Sequence, residues 1–80
     1  MFEDTPNDNK KCGADGSSSR LFELRASDAQ ESKCRAKCLL KENCLAMSGN
    51  FDGNNSWCIG CKTALDVPNS GAKAFKKEGN

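Results

Sequence analysis

Histidine and tyrosine are absent from this 80-residue chain, and tryptophan occurs only once. Without histidine, no His-based catalytic triad can be assembled. The aspartates and glutamates are scattered without a paired, buried setting, so no catalytic constellation emerges and a non-enzyme is expected. Apolar residues are also scarce, at 36% with four Phe. A chain this short buries only about 60% of the surface its unfolded form exposes, so its core needs covalent support. No apolar run approaches the roughly 20 residues that span a bilayer, and no membrane insertion is expected. Charge of either sign is not in excess: 12 Lys and Arg face 11 Asp and Glu, for a net +1. No global field points to nucleic acid. No signal peptide is expected in the opening Met1-Phe2-Glu3-Asp4, which is acidic and polar. The expected origin is a monomeric module excised from a larger precursor, with Met1 added for expression.

Cysteine is abundant: Cys12, Cys34, Cys38, Cys44, Cys58 and Cys61. An even count at this density in a short chain reads as a disulfide framework, which implies an oxidising, secreted or cell-surface location. At about 2–4 kcal/mol per bridge, the set supplies at most on the order of 10 kcal/mol, comparable to the stability of a whole domain. Two chemical readings compete. Cys58-Ile59-Gly60-Cys61 is a CxxC, but it follows a hairpin turn rather than opening a helix, where a dipole would activate a thiol. The C-x2-C and C-x3-C spacings suit zinc, but bridges account for all six sulfurs. Neither a metal nor a cofactor is expected.

Periodicity outlines an α+β fold, a single helix packed on a small antiparallel sheet. Residues 1–19 are polar and turn-rich and read as an irregular arm anchored by Cys12, with the domain proper at 20–80. Residues 20–26 alternate, placing Phe22, Leu24 and Ala26 on one strand face and Glu23 and Arg25 on the other. Ser27 and Gln30 form a capping box for a helix over 28–41. Glu31 and Arg35 support it as an i,i+4 pair. Strands follow at 44–51 and 56–62, joined by the hairpin signal Asp52-Gly53-Asn54-Asn55. A last strand runs over 72–77 after a loop.

Cys34 and Cys38 share one helix face. A short bridge from Cys38 to Cys44 fits across the turn, which leaves Cys34 needing a distant partner. Cys58 and Cys61, three apart on a strand, point to opposite faces. Trp57, Ile59 and Cys61 share a parity, and the apolar pair marks that face as the core. Parity therefore favours Cys34–Cys61 with Cys12–Cys58, and a bulge at Gly60 would reverse the choice.

The run Ser27-Asp28-Ala29-Gln30-Glu31-Ser32-Lys33-Cys34-Arg35-Ala36-Lys37-Cys38, followed by Cys44-Leu45-Ala46-Met47-Ser48, resembles the PAN/apple family over roughly 20–77. The resemblance implies a Cys38–Cys44 bridge and a bond from Cys34 to Cys58 or Cys61. It also implies a secreted or cell-surface recognition module that binds proteins or carbohydrates without catalysis. The chain departs from the apple subtype, whose extra bridge ties the two ends, because 19 residues follow Cys61.

Two surfaces are candidates for a glycan or protein ligand. Lys33, Lys37 and Lys41 recur at i, i+4 and i+8 and suit sulfated or acidic glycans, against the plainer reading of a solvated helix face. Trp57 is a stacking platform for a sugar, against the plainer reading of a core side chain. Asn54-Asn55-Ser56 is a glycosylation sequon, and Asp52, Asn54 and Asn55 are explained by the turn without calcium. The expected function is adhesion or ligand recognition, with a small secreted effector, such as a toxin or protease inhibitor, as the alternative.

Overall fold

The computed structural model describes residues 1–13, 17–52 and 55–77. Among them, one α-helix packs on a five-stranded antiparallel sheet. The elements in chain order are β1 (Phe2–Glu3), β2 (Lys10–Lys11), β3 (Arg20–Arg25), α1 (Glu31–Leu40), β4 (Ala46–Asn50), β5 (Trp57–Cys61), β6 (Val67–Pro68) and β7 (Lys73–Lys76). The sheet order is β1-β7-β4-β5-β3, and β2 pairs with β6 as a separate ribbon. The expected α+β architecture is therefore present, with its helix on one face of the sheet.

The three bridges are Cys12–Cys61, Cys34–Cys58 and Cys38–Cys44. This corrects the pairing that strand parity favoured. Parity assumed that only one face of the sheet is buried, but both are. On the helix side, Cys34, Cys38 and Cys58 pack with Phe22, Met47 and Phe75. On the other side, Cys12, Ile59 and Cys61 pack with Ala46, Leu65 and Ala74, and Trp57 lies against them. Trp57, Ile59 and Cys61 do share a face, but it is the face turned away from α1. No bulge at Gly60 is involved: β5 pairs with β4 without a register break, and the irregularity lies in β3 between Arg20 and Phe22.

The segment expected as an irregular arm closes the sheet instead. Phe2 and Glu3 pair with Lys76 and Phe75, and a 3-10 turn over Thr5–Asn7 has its proline in the first turn. The unpaired edge of β7 needs backbone partners. The arm meets that need: the Asp4 amide donates to the Ala74 carbonyl at 2.9 Å and the Asn9 amide to the Ala72 carbonyl at 2.7 Å. Further along, the β2–β6 ribbon lies over the face opposite α1. There the hydroxyl of Ser48, fully buried at the middle of the sheet, donates to the Lys10 carbonyl at 2.7 Å.

The helix begins later than its sequence signals suggest, and the Ser27–Gln30 capping box does not form. Gln30 itself occupies the N-cap without a side-chain capping bond, and Ser27 sits in a 3-10 turn over Ala26–Asp28. Leaving β3 requires a sharp turn, which Ala26 makes at φ 55 while its amide donates to the Ser56 carbonyl at 2.9 Å. Ala29 is then buried against the core, so regular helix starts only beyond it. The Glu31–Arg35 pair forms at 2.9 Å.

Candidate functional site

The pleat of the sheet builds a cleft on the face turned away from the helix. In the β3–β5 ladder Arg25 lies opposite Trp57 and Glu23 opposite Ile59, and directly opposed residues project to the same side. Residues from the arm and from the segment after β6 wall this surface. The result is a cleft of about 220 Å³ bordered by Lys11, Arg20, Glu23, Arg25, Trp57 and Asn69, among others.

Arg20 fixes the wall. Its side chain is only 3% exposed, and its Nε donates to the Cys12 carbonyl at 2.8 Å and its Nη2 to the Gly13 carbonyl at 2.9 Å. Glu23 sits between two guanidiniums, 3.6 Å from Arg20 and 3.9 Å from Arg25. Arg25, with 65% of its side chain exposed, stands at the rim. Three cations and one carboxylate thus surround a half-buried indole. The site therefore mixes apolar and charged groups, as small-molecule clefts do.

The sequence candidates do not converge on this cleft. Trp57 lines it, but Lys33 and Lys37 are on α1, across the sheet, and Lys41 caps the C-terminus of α1. Lys33 and Lys37 are exposed and Lys41 is half-buried. The Lys37 ammonium lies 5.7 Å from the centre of the Phe22 ring, and the Lys41 carbonyl accepts the Lys77 ammonium at 2.7 Å. The stripe therefore belongs partly to the helix–sheet packing. Asn54 lies outside the described residues. The six cysteines are all bridged.

Lys11, Arg20, Glu23, Arg25 and Asn69 escaped notice as site residues because they come from separate segments joined only by the fold. One signal was available: Glu23 and Arg25 alternate with Phe22 and Leu24, which marks a polar face on β3. Comparison of the chain with protein-family models, with curated proteins and with solved structures gave no match.

Proposed function

We propose that this chain is a non-catalytic extracellular recognition module for a carbohydrate or protein ligand, with the Trp57 cleft as its carbohydrate site. The observation that carries this reading is the position of the single tryptophan, half-buried in the lining of a cleft that Lys11, Arg20 and Arg25 also border. An indole face stacks on the C–H face of a sugar ring, while Lys11, Arg25 and Asn69 are donors suited to ring hydroxyls or a carboxylate. The extracellular assignment rests on the three disulfides, which persist in oxidising compartments and are rare in the cytosol. Among the described residues no helix is long and apolar enough to cross a membrane. The PAN/apple resemblance supports the same reading, since its implied Cys38–Cys44 bond, and a bond from Cys34 to one of the β5 cysteines, accord with the bridges present.

A glycan array probed with the oxidised protein tests the proposal, followed by titration of each hit against Trp57→Ala and Trp57→Phe. Truncation of a central aromatic anchor costs about 2 kcal/mol or more, so Trp57→Ala should weaken binding by roughly 30-fold. Trp57→Phe should retain part of it. Array binding indifferent to Trp57→Ala would move the site elsewhere. An empty array together with tight inhibition of a protease would favour the secreted-effector reading.

A further inference from the structure

The exposed large hydrophobic residues are gathered at one end of the domain. Leu39, Leu40 and Leu45 are 51%, 85% and 56% exposed, and Phe2 is 55% exposed. The three leucines flank the turn closed by Cys38–Cys44. Leu45 precedes Ala46, which opposes Lys76, and Lys76 in turn opposes Phe2 across β7. All four therefore sit where β4 begins and β7 ends.

The same end is basic. The Lys77 amide donates to the Leu45 carbonyl at 3.1 Å, and its ammonium reaches the Lys41 carbonyl at 2.7 Å. Lys62 directly follows Cys61, whose carbonyl accepts the Leu45 amide at 2.8 Å. Lys41, Lys62, Lys76 and Lys77 thus collar the leucines, opposed locally by Glu42. At the other end of the sheet, Asp8, Glu31 and Asp52 line one depression together with Lys73. The net charge of +1 thus conceals a local excess of lysine at the leucine end.

We propose that the Leu39–Leu45 tip seats on an anionic lipid bilayer, with the leucines at headgroup depth and the lysine collar against the acidic lipids. Exposed apolar residues beside a basic collar match the two components of interfacial binding, apolar burial and attraction to negative headgroups. A leucine 85% exposed at a disulfide-closed turn protrudes, which suits a deformable lipid surface. Seating of this kind needs only a few residues and no spanning helix. The site is independent of the Trp57 cleft.

The test is co-sedimentation of the oxidised full chain with vesicles of phosphatidylcholine alone or mixed with phosphatidylserine. Binding is expected only to the mixed vesicles and should weaken as salt rises. Leu40→Ser and Lys77→Glu should each reduce it by on the order of tenfold. Glu42→Lys should strengthen it, with the salt dependence steepened and the near-ultraviolet circular dichroism unchanged, which separates the effect from misfolding. Absence of binding to the mixed vesicles would overturn the proposal, as would binding indifferent to Leu40→Ser. Concentration-dependent dimerisation abolished by Leu40→Ser in lipid-free solution would overturn it in favour of contact between two copies of the chain.

Discussion

The Phe22 ring occupies the space that a Cβ on Gly60 would fill. The two residues are directly opposed across β3 and β5, and the absent side chain lets the ring lie on the strand beneath the helix. Gly60→Ala should therefore displace Phe22 and cost about 1–3 kcal/mol as an overpacked site. Chemical denaturation under oxidising conditions measures the loss. Adding Phe22→Leu to the Gly60→Ala chain should recover part of it, since the smaller side chain leaves room for the methyl group.

The disulfides close loops of very different length, with sequence separations of 49, 24 and 6. Loop-closure entropy makes the Cys12–Cys61 bridge worth about 2 kcal/mol more than Cys38–Cys44. Replacing Cys12 and Cys61 together by alanine should accordingly lower stability more than replacing Cys38 and Cys44. Comparison of the two denaturation midpoints checks the order, and non-reducing peptide mapping checks the connectivity.

Ser48 is fully buried and spends its hydroxyl on the Lys10 carbonyl. Ser48→Ala strands that carbonyl on the buried face and should cost about 1–3 kcal/mol. The effect should be local as well as global. Hydrogen exchange ought to accelerate at Lys11 and Val67 in the ribbon before it does in the β4–β5 ladder.

Arg20 serves two carbonyls and Glu23 with a single guanidinium. Lysine cannot reproduce that fan of donors. Arg20→Lys should destabilise the chain by about 1–3 kcal/mol and loosen the arm beside the cleft. Proteolysis after mild digestion, read at residues 12–20, reports the loosening.

The lysine stripe and Trp57 lie on opposite faces of the sheet. Replacing Lys33, Lys37 and Lys41 together by alanine should leave ligand affinity at the Trp57 cleft within about twofold, since exposed charges beyond a Debye length are screened. Titration of an array hit at physiological salt provides the number. Heparin chromatography of the same variant reads the stripe separately.

What the sequence made legible were the features set by local pattern. Alternation around Phe22 and Leu24 marked β3, and the i,i+4 placement of Cys34 and Cys38 marked the buried side of α1. The expected hairpin strands pair as β4 and β5, while Gly53 and Asn54 of the turn lie outside the described residues. The failures came from relations between distant segments. The parity of Trp57, Ile59 and Cys61 identified a buried face, but only the covering of both faces decides which one meets the helix. Ser27 had the chemistry of a cap, yet the turn out of β3 and the burial of Ala29 placed the helix start beyond it. Polar residues 1–11 gave no strand pattern, because an edge strand two residues long is held by the backbone of β7 rather than by its own side chains. The cleft was invisible for the same reason: Lys11, Arg25 and Asn69 are neighbours only after three segments meet.

The Cys12–Cys61 bond also determines how the domain answers to force. A pull applied through the chain on either side draws β1 and β2 away and strips β7 from β4, since β1, β2, β6 and β7 lie outside the bridge. The load then passes from sulfur to sulfur. Two positions 49 residues apart in sequence act as one mechanical point, and α1, β3, β4 and nearly all of β5 lie within the loop that the tension bypasses. Under oxidising conditions the backbone of α1, β3 and β4 cannot be drawn out, although the departing β7 takes the buried Phe75 out of the helix-side core.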